Sequence, residues 1–447
     1  MLDIKFIRQH KKEVEQGLKN KGANIDLDRL LEVDEKRRGA IKVVDDLRLQ
    51  HNKISDAIAS GALAGTAKTN AIVETKELKR KIAEAEFELK SIEEEFNDLM
   101  YKIPNMPLAG VPIGKDEHDN VVLREVGEKK RFDFEPRDYI ELGEKLDLID
   151  TARAAKVSGS RFGYLKHEAP LLEFALIQFA FSFLTNEANI RGVIDEKGLK
   201  VKPKPFIPII PPVLIRPEAM RAMGYMERGK DEIYFLEKDN LYLVGTSEQS
   251  VGPMHQDEVF DENNFPHRHI AFSSCFRREA GSYGKDTRGI LRVHQFDKAE
   301  MFVFSTKESS QDEHKLLLGI EEKFMSLLGL SYRVLNICSG DLGDPAAAKY
   351  DIEAWLPGQN GGKGEYRETH STSNTTDFQS RRLNIKYKPK AERGEPKADY
   401  AHMLNGTAFA IGRMIIAILE NYQQADGSVR IPEVLQPYML GIKELKR

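Results

Sequence analysis

Residues 275–301, CFRREAGSYGKDTRGILRVHQFDKAEM, concentrate groups that handle a charged, planar ligand. A strand-like run over 270–276 delivers Arg277 and Glu279, two residues apart. A glycine-containing, charged loop follows, and a second strand-like run returns through His294, Phe296, Lys298 and Glu300. Side chains two apart on a strand share a face. If the runs pair, one surface carries a guanidinium, two carboxylates and an aromatic ring. A guanidinium takes two phosphate or carboxylate oxygens at once. A phenyl ring offers a flat face to a base, and a carboxylate accepts from an exocyclic amine. The set suits a nucleotide. An ordinary charged hairpin on an antiparallel sheet has the same spacing, so the rest of the chain must decide.

Further polar clusters lie in the same half of the chain. Thr246-Ser247-Glu248 follows a strand-like run at 241–244, and Glu368 and Ser371 sit in YRETHSTSN. Asn405, Thr407 and Arg413 fall at the start of a helix expected over 405–420. Isolated residues of these types also serve as turns and caps, and Asn405 could be the N-cap of that helix. Arg413 lies in an otherwise apolar stretch, 408–419, and needs a partner, for which a phosphate is one candidate. Glu368 and Ser371 could give oxygen ligands to Mg²⁺, which prefers few protein ligands plus phosphate oxygens. Neither G-x-G-x-x-G after a strand nor a Walker-type loop is present, so a nucleotide must be held in some other way.

These groups need a scaffold, and 447 residues exceed what one hydrophobic core usually serves. Charged residues make up 31% and apolar ones 40%, the balance of a soluble globular protein. The formal net charge is −4, so a nucleic acid must meet a local basic patch. Two cysteines, Cys275 and Cys338, argue against a disulfide framework and fit a reducing compartment. No apolar run is long enough to span a bilayer, and the opening MLDIKFIRQHKKEVEQ is amphipathic and contains acids. A cytoplasmic protein with no membrane partner is expected.

The N-terminal third reads as a helical hairpin. Asp28 can cap a long helix running to about 60, small residues at 61–66 break it, and a second helix follows over about 70–102. In the second helix Leu78, Ile82, Ala85, Leu89, Ile92, Phe96, Leu99 and Ile103 form a heptad seam. The first helix offers Val33, Ala40, Val44, Leu47, Ile54 and Ile58, with Arg37 and His51 at intervening seam positions. Two such seams predict an antiparallel coiled coil roughly 50 Å long, at about 1.5 Å per residue. Its charged faces fit either a solvated rod or an arm that grips a duplex backbone by shape. Residues 104–149, rich in Pro, Gly, Asp and Asn, read as a linker and the entry to a second domain. From about 150 onward, short strand-like runs alternate with a few helices, which predicts an antiparallel sheet carrying helices. The fold class is α+β, with a domain at 1–103 (hairpin about 28–102), the linker at 104–149 and a main domain at 150–447.

Taken together these residues resemble the class II aminoacyl-tRNA synthetases, and among them the seryl-tRNA synthetase family. Residues 275–301 resemble motif 2, with an F-R-x-E start and an H-Q-F-x-K-x-E end. NGTAFAIGRMIIAILENYQ resembles motif 3, and 152–212 resembles motif 1 and its approach. Thr246-Ser247-Glu248 matches the seryl T-x-E loop, and the N-terminal hairpin is similar to the family's tRNA-binding arm. The likeness runs along essentially the whole chain in the family's order.

The resemblance implies a catalytic domain built on the class II antiparallel sheet. It implies that Arg277 holds the α-phosphate and the serine carboxylate, that Glu279 accepts from the adenine amino group, and that Phe296 stacks on adenine. Arg292 and Arg413 would hold the γ-phosphate of a bent ATP. Arg278, Thr369 and His370 would join the ATP site, and Glu368 and Ser371 would ligate Mg²⁺. Thr246, Glu248, Glu300, Asn405 and Thr407 would surround the serine. The implied reaction forms seryl adenylate and pyrophosphate from L-serine and ATP, then transfers serine to the 3′ end of tRNA(Ser), with tRNA(Sec) left open. A homodimer formed through motif 1 is implied, and a structural zinc is not. The main alternatives are a catalytically silent tRNA-binding paralogue and an amino acid:carrier-protein ligase, against which the intact charged set and the long hairpin respectively argue. Some positions depart from the family pattern. The loop often reads P-T-A-E where this chain has Gly245-Thr246-Ser247-Glu248, and Ser-Gly often stands at Thr407-Ala408. His370 takes a position that is usually small. The Ala408 methyl is expected near the substrate.

Overall fold

The computed structural model describes residues 1–280, 284, 286–390 and 397–447. They form two compact units, Met1–Pro104 and Asn105–Arg447.

The first unit opens with short helices, Ile4–Gln9 and Lys11–Asn20, and continues into two long ones, α1 (Leu27–Ala59) and α2 (Gly65–Lys102). Asp26, not Asp28, caps α1, accepting from the Arg29 amide at 3.0 Å. Asp28 lies inside the first turn and pairs with Lys11 at 2.5 Å. The two helices run antiparallel, as cross-links at Arg29–Glu95 (2.5 Å) and Arg48–Glu86 (2.6 Å) show. Val33, Val44, Leu78 and Phe96 are buried in the seam. The seam position of Arg37 is accommodated by stacking: its guanidinium lies 4.7 Å from the Phe96 ring centroid.

The second unit is built on one eight-stranded sheet. Its strands are β1 (Val121–Val126), β2 (Ile207–Ile209), β3 (His267–Phe276), β4 (Gln295–Ser305), β5 (Tyr332–Asn336), β6 (Ala348–Leu356), β7 (Glu365–Asn374) and β8 (His402–Ala410). Their order is β1-β5-β6-β7-β8-β4-β3-β2, and every pairing is antiparallel except β2 with β3. The stretch read as a linker therefore contributes an edge strand, β1.

Helices α3 (Ala169–Leu184), α4 (Ser310–Leu327) and α5 (Ile411–Tyr422) bury their apolar sides with one face of the sheet. On β4 the inward set is Ala299, Met301 and Val303, alternating with Phe296, Lys298 and Glu300 on the other face. Phe179 of α3, Phe324 of α4 and Phe409 of β8 meet in that core, with Phe324 and Phe409 ring centroids 4.8 Å apart. No single helix among the described residues is long and apolar enough to cross a membrane.

The expected helix over 405–420 is corrected by this sheet. Residues 405–410 are strand, hydrogen-bonded to β4 on one side and β7 on the other, and α5 begins at Ile411. The small, apolar composition of this segment reflects a strand buried between two neighbours, which periodicity alone does not separate from a buried helix.

Candidate active site

A cleft of about 670 Å³ opens on the sheet face away from α3 and α4. Most of the expected residues line it: Thr246, Glu248, Arg277, Glu279, Arg292, Phe296, Glu300, Glu368, Thr369, Ser371, Asn405, Thr407 and Arg413. Two do not. Arg278 is tied outside it, with its guanidinium 5.7 Å from the Tyr234 ring centroid and its amide donating to the Glu232 carbonyl. His370 is buried on the helix side, its ring 5.9 Å from that of Phe409, because strand alternation turns it away from the cleft.

Irregularities in the strands place several of the others. β3 ends at Phe276, and Glu279 has φ +51, so Arg277 and Glu279 reach the cleft from a turn and not from one strand face. On β8, Phe409 pairs with Ala299 and Thr407 with Glu300, leaving Ala408 as an extra residue. That bulge sends both Ala408 and Phe409 into the core while Thr407 and Ala410 line the cleft. The Ala408 methyl is therefore in the core, not beside a substrate. Ser247 is also buried and does not line the cleft.

One end of the cleft is a carboxylate pocket. Glu300 stands directly across from Thr407, whose hydroxyl bonds it, and it forms an ion pair with Lys298. The Lys298 ammonium also donates to Thr246 Oγ1 at 3.3 Å. Burial raises the Glu300 carboxyl, with Lys298 the main opposing charge. Burial, reinforced by the Glu300 charge, pushes Glu248 up to about 8. A cation arriving here would relieve both groups.

The other end is rich in fixed cations. Arg413 pairs with Glu368 at 3.3 Å and also donates to its carbonyl at 3.0 Å. Arg292 pairs with Glu279 at 2.7 Å, and the Arg277 guanidinium lies 5.3 Å from the Phe296 ring centroid. Partial desolvation acts to raise Glu368, whose side chain stays 45% exposed, but Arg413, Lys349, Arg277 and Lys298 outweigh it and hold the carboxyl down to about 2. Glu368 is thus an anion at neutral pH, and with the Ser371 hydroxyl on the same cleft wall it offers hard oxygen donors of the kind Mg²⁺ takes.

Sequence reasoning assigned no role to Lys298, Lys349 or Tyr225, although all three line the cleft. The period-two spacing of Lys298 between Phe296 and Glu300 was a usable signal. So was Lys349 two residues before Asp351, with which it pairs at 2.9 Å. Tyr225 enters through a loop, and no periodic signal marks it.

Comparison with known proteins accords with this geometry. Residues 1–107 match the seryl-tRNA synthetase N-terminal domain, and 234–422 match the tRNA synthetase class II core domain (G, H, P, S and T). The serine–tRNA ligase of Dictyoglomus turgidum is 44% identical over 450 residues, covering 100% of this chain and 99% of that protein. The seryl-tRNA synthetase of Pyrococcus horikoshii, solved in complex with ATP, superposes with a TM-score of 0.83 at 39% identity, over 100% of this chain and 99% of that one. The cytoplasmic serine–tRNA ligase of Naegleria fowleri, solved with AMP, gives 0.80 at 32% identity, again over 100% and 99%. With both domains matched and full-length relatives well above the level at which fold alone is shared, the chain belongs to the seryl-tRNA synthetase family of class II aminoacyl-tRNA synthetases.

Proposed function

We infer that this chain is a serine–tRNA ligase, which activates L-serine with ATP and then esterifies the 3′ end of tRNA(Ser). The observation that carries the reading is a single cleft with a buried carboxylate pocket at one end and a cluster of guanidinium groups at the other. The pocket suits the ammonium and hydroxyl of serine, and the cations suit a polyphosphate.

In this reading Arg277, between the two ends, takes the serine carboxylate and the α-phosphate. Glu279 accepts from the adenine amino group, Phe296 stacks on the base, and Arg292 and Arg413 hold the γ-phosphate. Because Glu279 and Arg292 are paired with each other in the free protein, ATP would exchange that pair for contacts of its own. Thr246, Glu248, Glu300, Asn405 and Thr407 form the serine pocket. Arg278 and His370 are left out, since neither lines the cleft.

The serine carboxylate attacks the α-phosphorus and pyrophosphate leaves, so no protein nucleophile is needed. The chain's contribution is to align the two reactants and to stabilise the charge that develops on the phosphate oxygens. Mg²⁺, held by Glu368 and Ser371 together with phosphate oxygens, would add charge neutralisation. A site built to bond the substrate hydroxyl rejects alanine, because its own buried polar groups would be left unpaired.

For the wider assembly we propose residues 1–103 as a tRNA-binding domain, 104–149 as the linker and entry to the catalytic domain, to whose sheet it gives strand β1, and 150–447 as the rest of that domain. A homodimer through the 152–212 region is supported by large apolar side chains left exposed there, namely Val157, Tyr164, Phe174, Ile207 and Ile210. A cytoplasmic location and tRNA(Sec) as a second substrate belong to the same proposal. The test is charging of purified tRNA(Ser) and tRNA(Sec) with labelled serine. Serine esterified to tRNA(Ser) supports the ligase, and binding without charging supports a silent paralogue.

A further inference from the structure

After the helix Pro217–Met223 the chain turns at Gly224, where φ is +91. A Cβ at Gly224 would stand 3.2 Å from Pro345 and 3.3 Å from Phe378, so both the backbone conformation and the space favour glycine. The turn leads into 225–233, which lays Tyr225, Gly229, Glu232 and Ile233 along the cleft. The segment is anchored in several places. Arg221 donates to Glu227 at 2.9 Å, Arg228 pairs with Asp344, and the Glu232 carbonyl accepts from the Arg278 amide at 2.9 Å.

Within this anchored rim the Tyr225 hydroxyl donates to Glu248 Oε1. Glu248 is a member of the carboxylate pocket whose surroundings oppose its charge. It is buried and Glu300 repels it, and the charges of Lys298 and Arg277 offset these effects in part. A hydroxyl donated to a carboxylate is a charge-assisted bond that favours the anion. It engages one carboxylate oxygen, Oε1, and so fixes the orientation of the group that faces the cleft.

We propose that Tyr225 is a positioning residue for amino-acid recognition, holding and orienting the Glu248 carboxylate for the substrate ammonium, so that the 225–233 rim is part of the serine pocket. This rests on the assignment of the cleft to serine activation. The groups facing Glu248 are then Tyr225 from the rim, Lys298 and Glu300 from β4, and Arg277 from the turn after β3. Tyr225→Phe removes one donor and leaves the ring and the rim anchors in place.

The experiment is pyrophosphate exchange by wild type and Y225F, titrated separately with serine and ATP between about pH 6 and pH 9. The serine KM of Y225F should rise about tenfold or more, as expected for loss of a hydrogen bond to a charged group. The ATP KM and the kcat at saturating serine should stay within about twofold. The pH below which serine affinity is lost should also move upward, because Glu248 loses a donor that favours its anion. A serine KM within about twofold of wild type with an unmoved pH profile overturns the proposal. Equal rises in the serine and ATP KM overturn it too, since a mere prop for the rim would disturb both. If wild type itself shows no serine-dependent exchange, the reading of the cleft fails along with Tyr225. If wild type is active and Y225F indifferent, Tyr225 fails alone.

Discussion

Glu368 and Ser371 lie three residues apart on β7 and yet face the same cleft. Plain strand alternation would send them to opposite faces. The pairing with β6 supplies the reason: Ile352 stands opposite His370 and Glu353 opposite Glu368, so Thr369 is an extra, bulged residue. The bulge puts an ionised carboxylate and a hydroxyl on one wall while His370 turns into the core. A bulge beside a binding site that re-aims a side chain is a feature of the fold and not a defect in it.

Ser371→Ala removes one of the two proposed protein ligands and leaves Glu368 and the bulge intact. The Mg²⁺ concentration needed for half-maximal exchange should rise about tenfold, the order of effect seen when a metal site loses support. Titrating Mg²⁺ at fixed serine and ATP measures it. An unchanged requirement would remove Ser371 from the metal site.

Glu300→Ala should raise the serine KM by about 10- to 100-fold, the cost of losing a hydrogen bond to a charged group. The same change should narrow the discrimination between serine and alanine, since the buried acceptor that penalises alanine is gone. Paired titrations with the two amino acids check both. An unchanged serine KM would sink the assignment of Glu300.

Much of this site was legible before the fold was known. The polar positions at 275–301 and 246–248 signal themselves by residue type and spacing, and all but Arg278 and His370 of the expected set line one cleft. What could not be read was backbone geometry. The bulges at Thr369 and Ala408 leave no periodic trace, and the family pattern that suggests an Ala408 methyl near the substrate does not reveal that the bulge turns it into the core. Residues 405–410 read as the start of a helix and are strand, because a strand buried on both faces reads as a continuous small-residue and apolar run. The hairpin, by contrast, follows its seam closely. Its ends moved: the cap of the first helix from Asp28 to Asp26, and the start of the second from about 70 back to Gly65, inside the stretch expected to break the helix.

Stability should fall on acidification through a buried histidine group. Burial, then the neighbouring His255 and His267, lower His269 from 6.5 to about 4. Between those values the unfolded chain holds a proton on this residue and the folded chain does not. Stability therefore rises with pH across that window and is lost as pH drops through it. At about pH 5 the cost is about 2 kcal/mol. His269→Gln should consequently lose less stability than wild type between neutral pH and about pH 5, as read by denaturant unfolding at both. Equal losses would show that His269 is not the group responsible.

Glu321 carries the opposite sign. Burial, then the charge of Glu300, raises its carboxyl well above 4.5. Above 4.5 the unfolded chain releases a proton that the folded chain retains, so this group destabilises the fold increasingly as pH rises. Glu321→Gln should therefore melt higher than wild type at alkaline pH, with the difference shrinking toward pH 4.5. A difference independent of pH would contradict the assignment.

The most direct test of the whole account is amino-acid-dependent ATP–pyrophosphate exchange by the purified protein with Mg²⁺ and no tRNA, using serine against threonine, alanine and cysteine. The carboxylate pocket beside the guanidinium cluster predicts exchange with serine and little with the other three. Exchange driven equally well by alanine, or none with any amino acid from a folded protein that still binds tRNA, would contradict it.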